Sequence, residues 1–503
     1  MTKQDNVRTI FLAIVCAIAL ALGIPTGSYL ITAMYIATVL VAAFITREKD
    51  VYNLLYSVLL VSVFFDYVLY VPGIQSIYMF HIILGAFTLL SLYRAFKDRD
   101  VLKNIDKKII VLYVIWFIYM CVSMTWALNK SLSVKYIAIY IMMFAFIVDM
   151  MIYNINKERL QKTFNLLLLL VSLIVVVGFT EVLLGKQLPV RHYIDGFTNL
   201  SQWHINVIKA RPIAFSFNPN NLSATLAILS PLLYFAIYKF ENIALKIWFV
   251  IASCMSFSLV VITTSRTGWV ALIFGFAVFI IYSIFNIRNL GLKQMIFPIV
   301  LIAGLVVSYN YSLNLMRIAP VEDNNQGKIT DMSLSNKFSS LKSFEEGNFE
   351  EGGEGSENVR GTIIQDVLVH GLIENKNILG YGVGNVEQYI KDQGHTGHIY
   401  SPHCYAIEIL GDFGVPGVIL YGIYYLYLLL SNIYIGFKNK SVMCFAAVAG
   451  LIAFAPASFG PSSITYVFSY WILIGISIAL IQVEKQKDRS CVFTSKSKEF
   501  KMI

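Results

Sequence analysis

The sequence predicts an all-α polytopic membrane protein of about 14 transmembrane helices, with 12 as the lower count, and one large extracytoplasmic loop. Three observations carry this. Of the 503 residues, 57% are hydrophobic and 14% are charged, far below the roughly 25% charge of soluble domains. The mean hydropathy is +0.68. Apolar runs able to cross a hydrocarbon layer of about 30 Å recur along the chain, interrupted by a single long polar stretch. With 31 Gly and 12 Pro, disordered and collagen-like classes are excluded. The cysteines, Cys16, Cys121, Cys254, Cys404, Cys444 and Cys491, fall mostly inside apolar runs, form no CxxC and indicate no disulfide framework.

The runs lie near 9–23, 28–45, 51–70, 76–96, 109–126, 132–153, 162–184, 219–238, 245–264, 267–285, 294–312, 412–436, 441–458 and 464–482. The first follows Lys3 and Arg8 but lacks a small-residue cleavage site, so it reads as a retained helix. Residues 1–312 thus hold helices 1–11, 313–411 an extracytoplasmic loop or lid, 412–484 helices 12–14, and 485–503 a basic cytoplasmic tail. With both termini cytoplasmic, the inner segments hold 25 Lys and Arg against 7 on the short outer loops, the asymmetry of a positive-inside topology. The net charge of +9 is therefore a topology signal whose partner is anionic lipid headgroups, and nucleic acid is not required.

About a hundred residues are too many for an unstructured connection, so 313–411 is expected to fold as a lid or small domain. Its Glu345–Gly355 stretch is acidic and Gly-rich and reads as mobile. Arg360–Glu374 has helical spacing, and Gly380-Tyr381-Gly382-Val383-Gly384 reads as a turn. A second outer stretch, 185–218, joins spans 7 and 8. No internal repeat stands out.

Three places on the expected outer face share one design. Arg211-Pro212 leads to Asn218-Pro219-Asn220-Asn221, where Asn218 and Pro219 form a cap and first-turn pair. Ser265-Arg266-Thr267-Gly268 opens span 10, with Ser265 or Thr267 as cap. Ser401-Pro402-His403-Cys404-Tyr405 precedes span 12, with Ser401 as cap. A helix N-terminus offers unpaired N–H groups and a positive dipole to an anion, and arginine suits a phosphate. The plainer alternative has Arg211 and Arg266 snorkelling to lipid headgroups. In a first helical turn His403 would be held neutral by the dipole and able to take a proton; otherwise it is a solvated loop histidine. His395, His398 and His403 form an HxxH…H pattern, but no Cys or carboxylate completes a metal set, so no metal ligands are assigned. Among carboxylates, Asp66, Glu181 and Asp149 lie near helix ends, Asp149 reading as solvated, and Glu408 and Asp412 follow His403; Glu408 is a plausible partner for it. Walker A, dinucleotide and nucleophile-elbow motifs are absent from the sequence.

These residues, in their order, resemble the O-antigen ligase and polymerase family of bacterial surface-polysaccharide enzymes. The resemblance rests on Arg-Pro with Phe217-Asn218-Pro219-Asn220, then Ser265-Arg266-Thr267-Gly268, the long loop, Gly380–Gly384, and His403-Cys404-Tyr405 with Leu410-Gly411-Asp412-Phe413-Gly414-Val415-Pro416-Gly417. It covers about 205–430. It implies an inverting, GT-C-like glycosyl transfer at the outer leaflet of a bacterial plasma membrane, without a cofactor. The donor is a polyprenyl-diphosphate-linked glycan and the acceptor another glycan, with a flippase and a chain-length regulator as partners. By motif position, Arg211, Arg266 and Arg360 would hold the diphosphate and His403 would activate the acceptor hydroxyl, with Asn218, Asn220, Ser265, Tyr405 and Glu408 in support. Cys404 departs from the asparagine often found after the histidine. The Ile-, Lys-, Asn- and Tyr-rich composition favours a low-GC organism and hence a repeat-unit polymerase of capsule, exopolysaccharide or teichuronic type over a ligase. Two other classes remain open on the sequence: a lipid-linked oligosaccharide flippase or other multi-span transporter, expected to show repeats and broken midplane helices, and a non-catalytic carrier or scaffold.

Overall fold

The computed structural model describes residues 3–499 apart from 49, 66–67, 104, 191–201, 320–350, 354–355 and 398. Asp66, His398 and most of the acidic Gly-rich stretch lie outside the described residues. The fold is the expected all-α membrane architecture: each predicted run is helical over most of its length, and among the described residues 11 helices are long and apolar enough to cross a membrane. The other three runs form shorter helices, Val51–Phe64 with 14 residues, Lys107–Ser123 with 17 and Val442–Ala457 with 16. The first is cut short because the chain turns at Pro72-Gly73, Gly73 at φ 82°, into a hairpin pairing Tyr70–Val71 with Ile74–Tyr78.

Helices Pro219–Lys239, Arg266–Phe285 and Val442–Ala457 pack on one another at the centre. The first is 83% buried over its apolar window, against 17% for Leu292–Leu315 at the periphery. In lipid there is no hydrophobic drive between helices, so close packing of small residues and interhelical hydrogen bonds supply the attraction. A Cβ on Gly275 would lie 3.2 Å from that of Ala453, and one on Gly450 would lie 2.8 Å from the Ile228 carbonyl. The Ser230 and Ser256 hydroxyls bond at 2.6 Å.

The predicted twelfth span starts earlier than its apolar run. Helix Tyr405–Asn439 is two pieces joined at Gly414, whose φ 63° and ψ −161° no helix contains, with Pro416 just beyond. The carbonyl of Phe413 accepts from the Tyr119 hydroxyl at 2.7 Å, and the Val415 N–H donates to Ile378 at 2.8 Å. The freed backbone groups are thus paired inside the protein, as membrane depth requires. The two glycine motifs interlock at this break. Tyr381 N–H donates to Gly411 O at 2.7 Å, Gly382 N–H to Asp412 O at 3.0 Å, and the Asp412 carboxylate accepts from Gly384 and Val386 N–H at 2.8 Å each. The Gly380–Gly384 turn and the break at Gly414 are thus one joint.

Over 356–393 the chain forms helix Ser356–Ile364, a π-helical continuation Gln365–Glu374, and helix Val386–Gln393. The wider winding shows in the Asn375 N–H, which donates to His370 O at 3.0 Å, five residues back. Ile363, Val367, Val386, Tyr389 and Ile390 share a small apolar core with Cys404 and Ile407. That core seats the Arg360 helix beside the residues next to His403.

Candidate active site

Three helix starts meet at one end of the bundle. Asn218 caps the first, its Oδ1 accepting from Asn221 N–H at 2.8 Å with Pro219 in the first turn. Ser265 caps the second, its Oγ 3.5 Å from Gly268 N and 3.3 Å from the Thr267 hydroxyl. The third differs from the sequence reading. Ser401 is not its cap; Cys404 holds the cap position, and the helix begins at Tyr405. The reason is backbone geometry: His403 sits at φ 49°, left-handed, so the helix can start only after it. His403 therefore lies before the first turn, not in it. Ala214 at φ 48° and Thr264 at φ 56° stand just before the other two starts. Strained non-glycine backbone of this kind costs about 1–3 kcal/mol and gathers at functional sites.

The turn Ser458–Tyr466 ties the three together. A Cβ on Gly460 would lie 3.0 Å from the Thr267 hydroxyl oxygen and 3.7 Å from Asn220 O, so both helix starts close on this turn. The His403 N–H donates to Ser462 O at 3.1 Å. Buried Glu408 fastens the far side of the turn, accepting from Ser463 Oγ at 2.6 Å, Thr465 Oγ1 at 2.9 Å and Ile464 N at 3.4 Å. Glu408 is thus not a direct partner of His403; it holds the turn that holds His403.

Charge brings in the arginines. Burial, then the neighbouring Arg266, holds the Arg360 guanidinium below its usual range, and Arg360 in turn acts on His403. The His403 imidazole is pushed down to about 4, first by burial and second by Arg360, with the Gly460 and Pro461 backbone acting in the opposite sense. Burial and Arg360, rather than the helix dipole expected from the sequence, favour the neutral ring. Its buried Nδ1 has no hydrogen-bond partner among the described residues. Arg266, Arg360 and His403 are therefore brought together. Two like charges are held beside a neutral base, an arrangement that favours an anion across both guanidinium groups.

Arg211 approaches along the chain, half-buried and seven residues before Asn218. Its segment is held by Glu181, whose carboxylate accepts from Ile213, Ala214 and Leu188 N–H at 2.7–2.8 Å, and by Gln187, which donates to Arg211 O at 2.7 Å. Glu181 is therefore a backbone anchor. Tyr405 is core: its ring lies against Tyr421, Phe454 and Tyr470. His395 pairs with Asp366 at 2.8 Å instead of joining His403. Asp149 is buried and accepts from Thr88 at 2.6 Å, so it is not the solvated helix end expected. Sequence reasoning passed over the Ser458–Tyr466 turn and gave Asp412 no role. The short Phe459-Gly460-Pro461-Ser462-Ser463 break between two apolar runs was the available signal.

Residues 249–422 match the family model described as O-antigen ligase. The matched stretch takes in Arg266, Arg360, His403 and both glycine motifs, while Arg211 and Asn218 precede it. With its apolar helices, the chain is a polytopic membrane protein whose residues 249–422 are similar to the O-antigen ligase family. It is 24% identical over 466 residues, 88% of this chain and 87% of the relative, to the teichuronic acid biosynthesis protein TuaE of Bacillus subtilis (strain 168).

Proposed function

We propose that the chain is an inverting glycosyltransferase that polymerises polyprenyl-diphosphate-linked glycan repeat units on the outer leaflet of a bacterial plasma membrane, with both termini cytoplasmic. The observation that carries this is the mutual influence of Arg266, Arg360 and a buried His403 beside the turn where the helix starts meet. In this reading the arginines, with Arg211, hold the donor diphosphate. The acceptor hydroxyl oxygen attacks the anomeric carbon from the face opposite the diphosphate. The new C–O bond forms as the bond to the diphosphate oxygen breaks, and the leaving polyprenyl diphosphate takes the electron pair. The guanidinium groups offset its growing charge, and His403 takes the hydroxyl proton. Donor binding also sets the base: a diphosphate on Arg360 cancels the like-charge penalty on His403 and raises its proton affinity once substrate is present.

The likeness to a teichuronic acid biosynthesis protein supports a role in polysaccharide synthesis, and the Ile-, Lys-, Asn- and Tyr-rich composition favours polymerisation over ligation. A flippase delivering the donor and a chain-length regulator are its expected partners. The test is to express His403→Ala and Arg266→Ala in cells lacking their own copy and size the surface polymer. Single lipid-linked repeats should accumulate and long polymer should disappear, with both variants still in the membrane. Normal chain lengths from both variants would refute the assignment.

A further inference from the structure

A second cluster of titratable side chains lies beside the small apolar core and takes no part in the transfer reading. Asp366, in the π-helical segment, is fully buried; its Oδ1 lies 2.8 Å from His395 Nδ1, and its buried Oδ2 has no hydrogen-bond partner among the described residues. Glu351 Oε1 lies 3.9 Å from the same His395 nitrogen and 3.1 Å from His370 Nε2, while His370 Nδ1 lies 2.7 Å from Glu374. One ligand atom each from Glu351, Asp366 and His395 fall within 4.8 Å of one another. Zinc bonds of roughly 2.0–2.2 Å to nitrogen and oxygen let one ion span ligand atoms up to about 4.4 Å apart, so a small closure of these side chains suffices.

A His–Asp hydrogen bond alone accounts for one carboxylate oxygen and leaves the other buried without a donor, which is costly. We propose that Glu351, Asp366 and His395 bind a divalent transition cation, zinc or manganese, with His370 orienting Glu351. One nitrogen and two oxygen donors suit either ion. The site joins three parts of the chain: Asp366 follows Arg360 by six residues on the same helical stretch, and His395 precedes His403 by eight. A bound ion would brace the Arg360 helix against the loop leading to His403. The inference goes beyond the transfer reading and does not depend on it.

The test uses the full chain, purified in detergent, stripped with EDTA and titrated calorimetrically with ZnCl2 and with MnCl2. One ion per chain is expected. His395→Gln and Asp366→Asn should each weaken binding at least tenfold, and His370→Gln by about tenfold, as residues that orient metal ligands do. His395 is 42% exposed, so His395→Gln is the decisive variant, and an unchanged melting temperature without metal confirms that it is folded. No saturable binding by the wild type, or equal affinity in His395→Gln, overturns the proposal.

Discussion

Acidification probes the environment of His403 directly. Its imidazole titrates near 4 in the folded chain because of burial and then Arg360, against 6.5 when unconstrained. Between those values the unfolded chain binds the proton and the folded chain does not, so stability rises with pH through the window and falls on acidification. Relative to pH 7.5, this one group should cost the native state about 2 kcal/mol at pH 5 and about 3 kcal/mol near pH 4. The assay is unfolding of the detergent-purified protein at pH 7.5 and 5.0, for wild type and for His403→Gln, which cannot titrate there. Carboxylates elsewhere act equally on both chains, so the wild type should lose more stability by that margin. Equal losses would mean an ordinary, solvated histidine, and the argument for a buried base would fail. In the donor-free chain roughly nine in ten rings remain neutral at pH 5, so an acid limb near pH 6.5 in kcat/KM, which reports the free enzyme, would contradict the structure.

Three further outcomes follow from the geometry. Glu408→Gln removes the carboxylate that accepts from Ser463, Ile464 and Thr465, a loss of about 1–3 kcal/mol; steady-state kinetics should show a lower kcat with donor KM unchanged, since His403 is misplaced but the arginines are not. Gly414→Ala puts a Cβ against the Ile378 carbonyl at φ 63°, costing at least about 1–2 kcal/mol from backbone strain alone; membrane-embedded protein should fall, while Gly422→Ala, in open space, should leave the level unchanged. Arg266→Lys keeps the charge but loses the planar fork, so donor binding should weaken about tenfold or more in a direct binding assay, and unchanged affinity would refute a bidentate role.

Much of this site was legible before folding. Asn218-Pro219 and Ser265-Arg266 announce helix starts because a capping side chain and its target N–H lie within three residues, so local spacing suffices. Ser401-Pro402 looked like the same signal and failed, because a left-handed His403 held by Ser462 O pushes the helix start to Tyr405. That hydrogen bond spans 59 residues of sequence, and no window contains it. Glu408 and Glu181 were visible as unusual carboxylates in apolar surroundings, but their partners are backbone and hydroxyl groups brought in by other segments. Residue type alone cannot reveal such partners.

Composition and apolar run length determined that this chain is a helical membrane protein, because the cost of burying polar backbone in lipid leaves a run of about 20 apolar residues few alternatives. Local order likewise determined two of the three helix starts and the residues with transferable charge. Tertiary structure decided the rest: that Arg360 lies beside Arg266, that His403 is neutral through burial and a neighbouring guanidinium, and that two glycine turns thirty residues apart form one joint at a broken helix. Those are properties of through-space distance and desolvation, and they exist only once distant segments have been packed together.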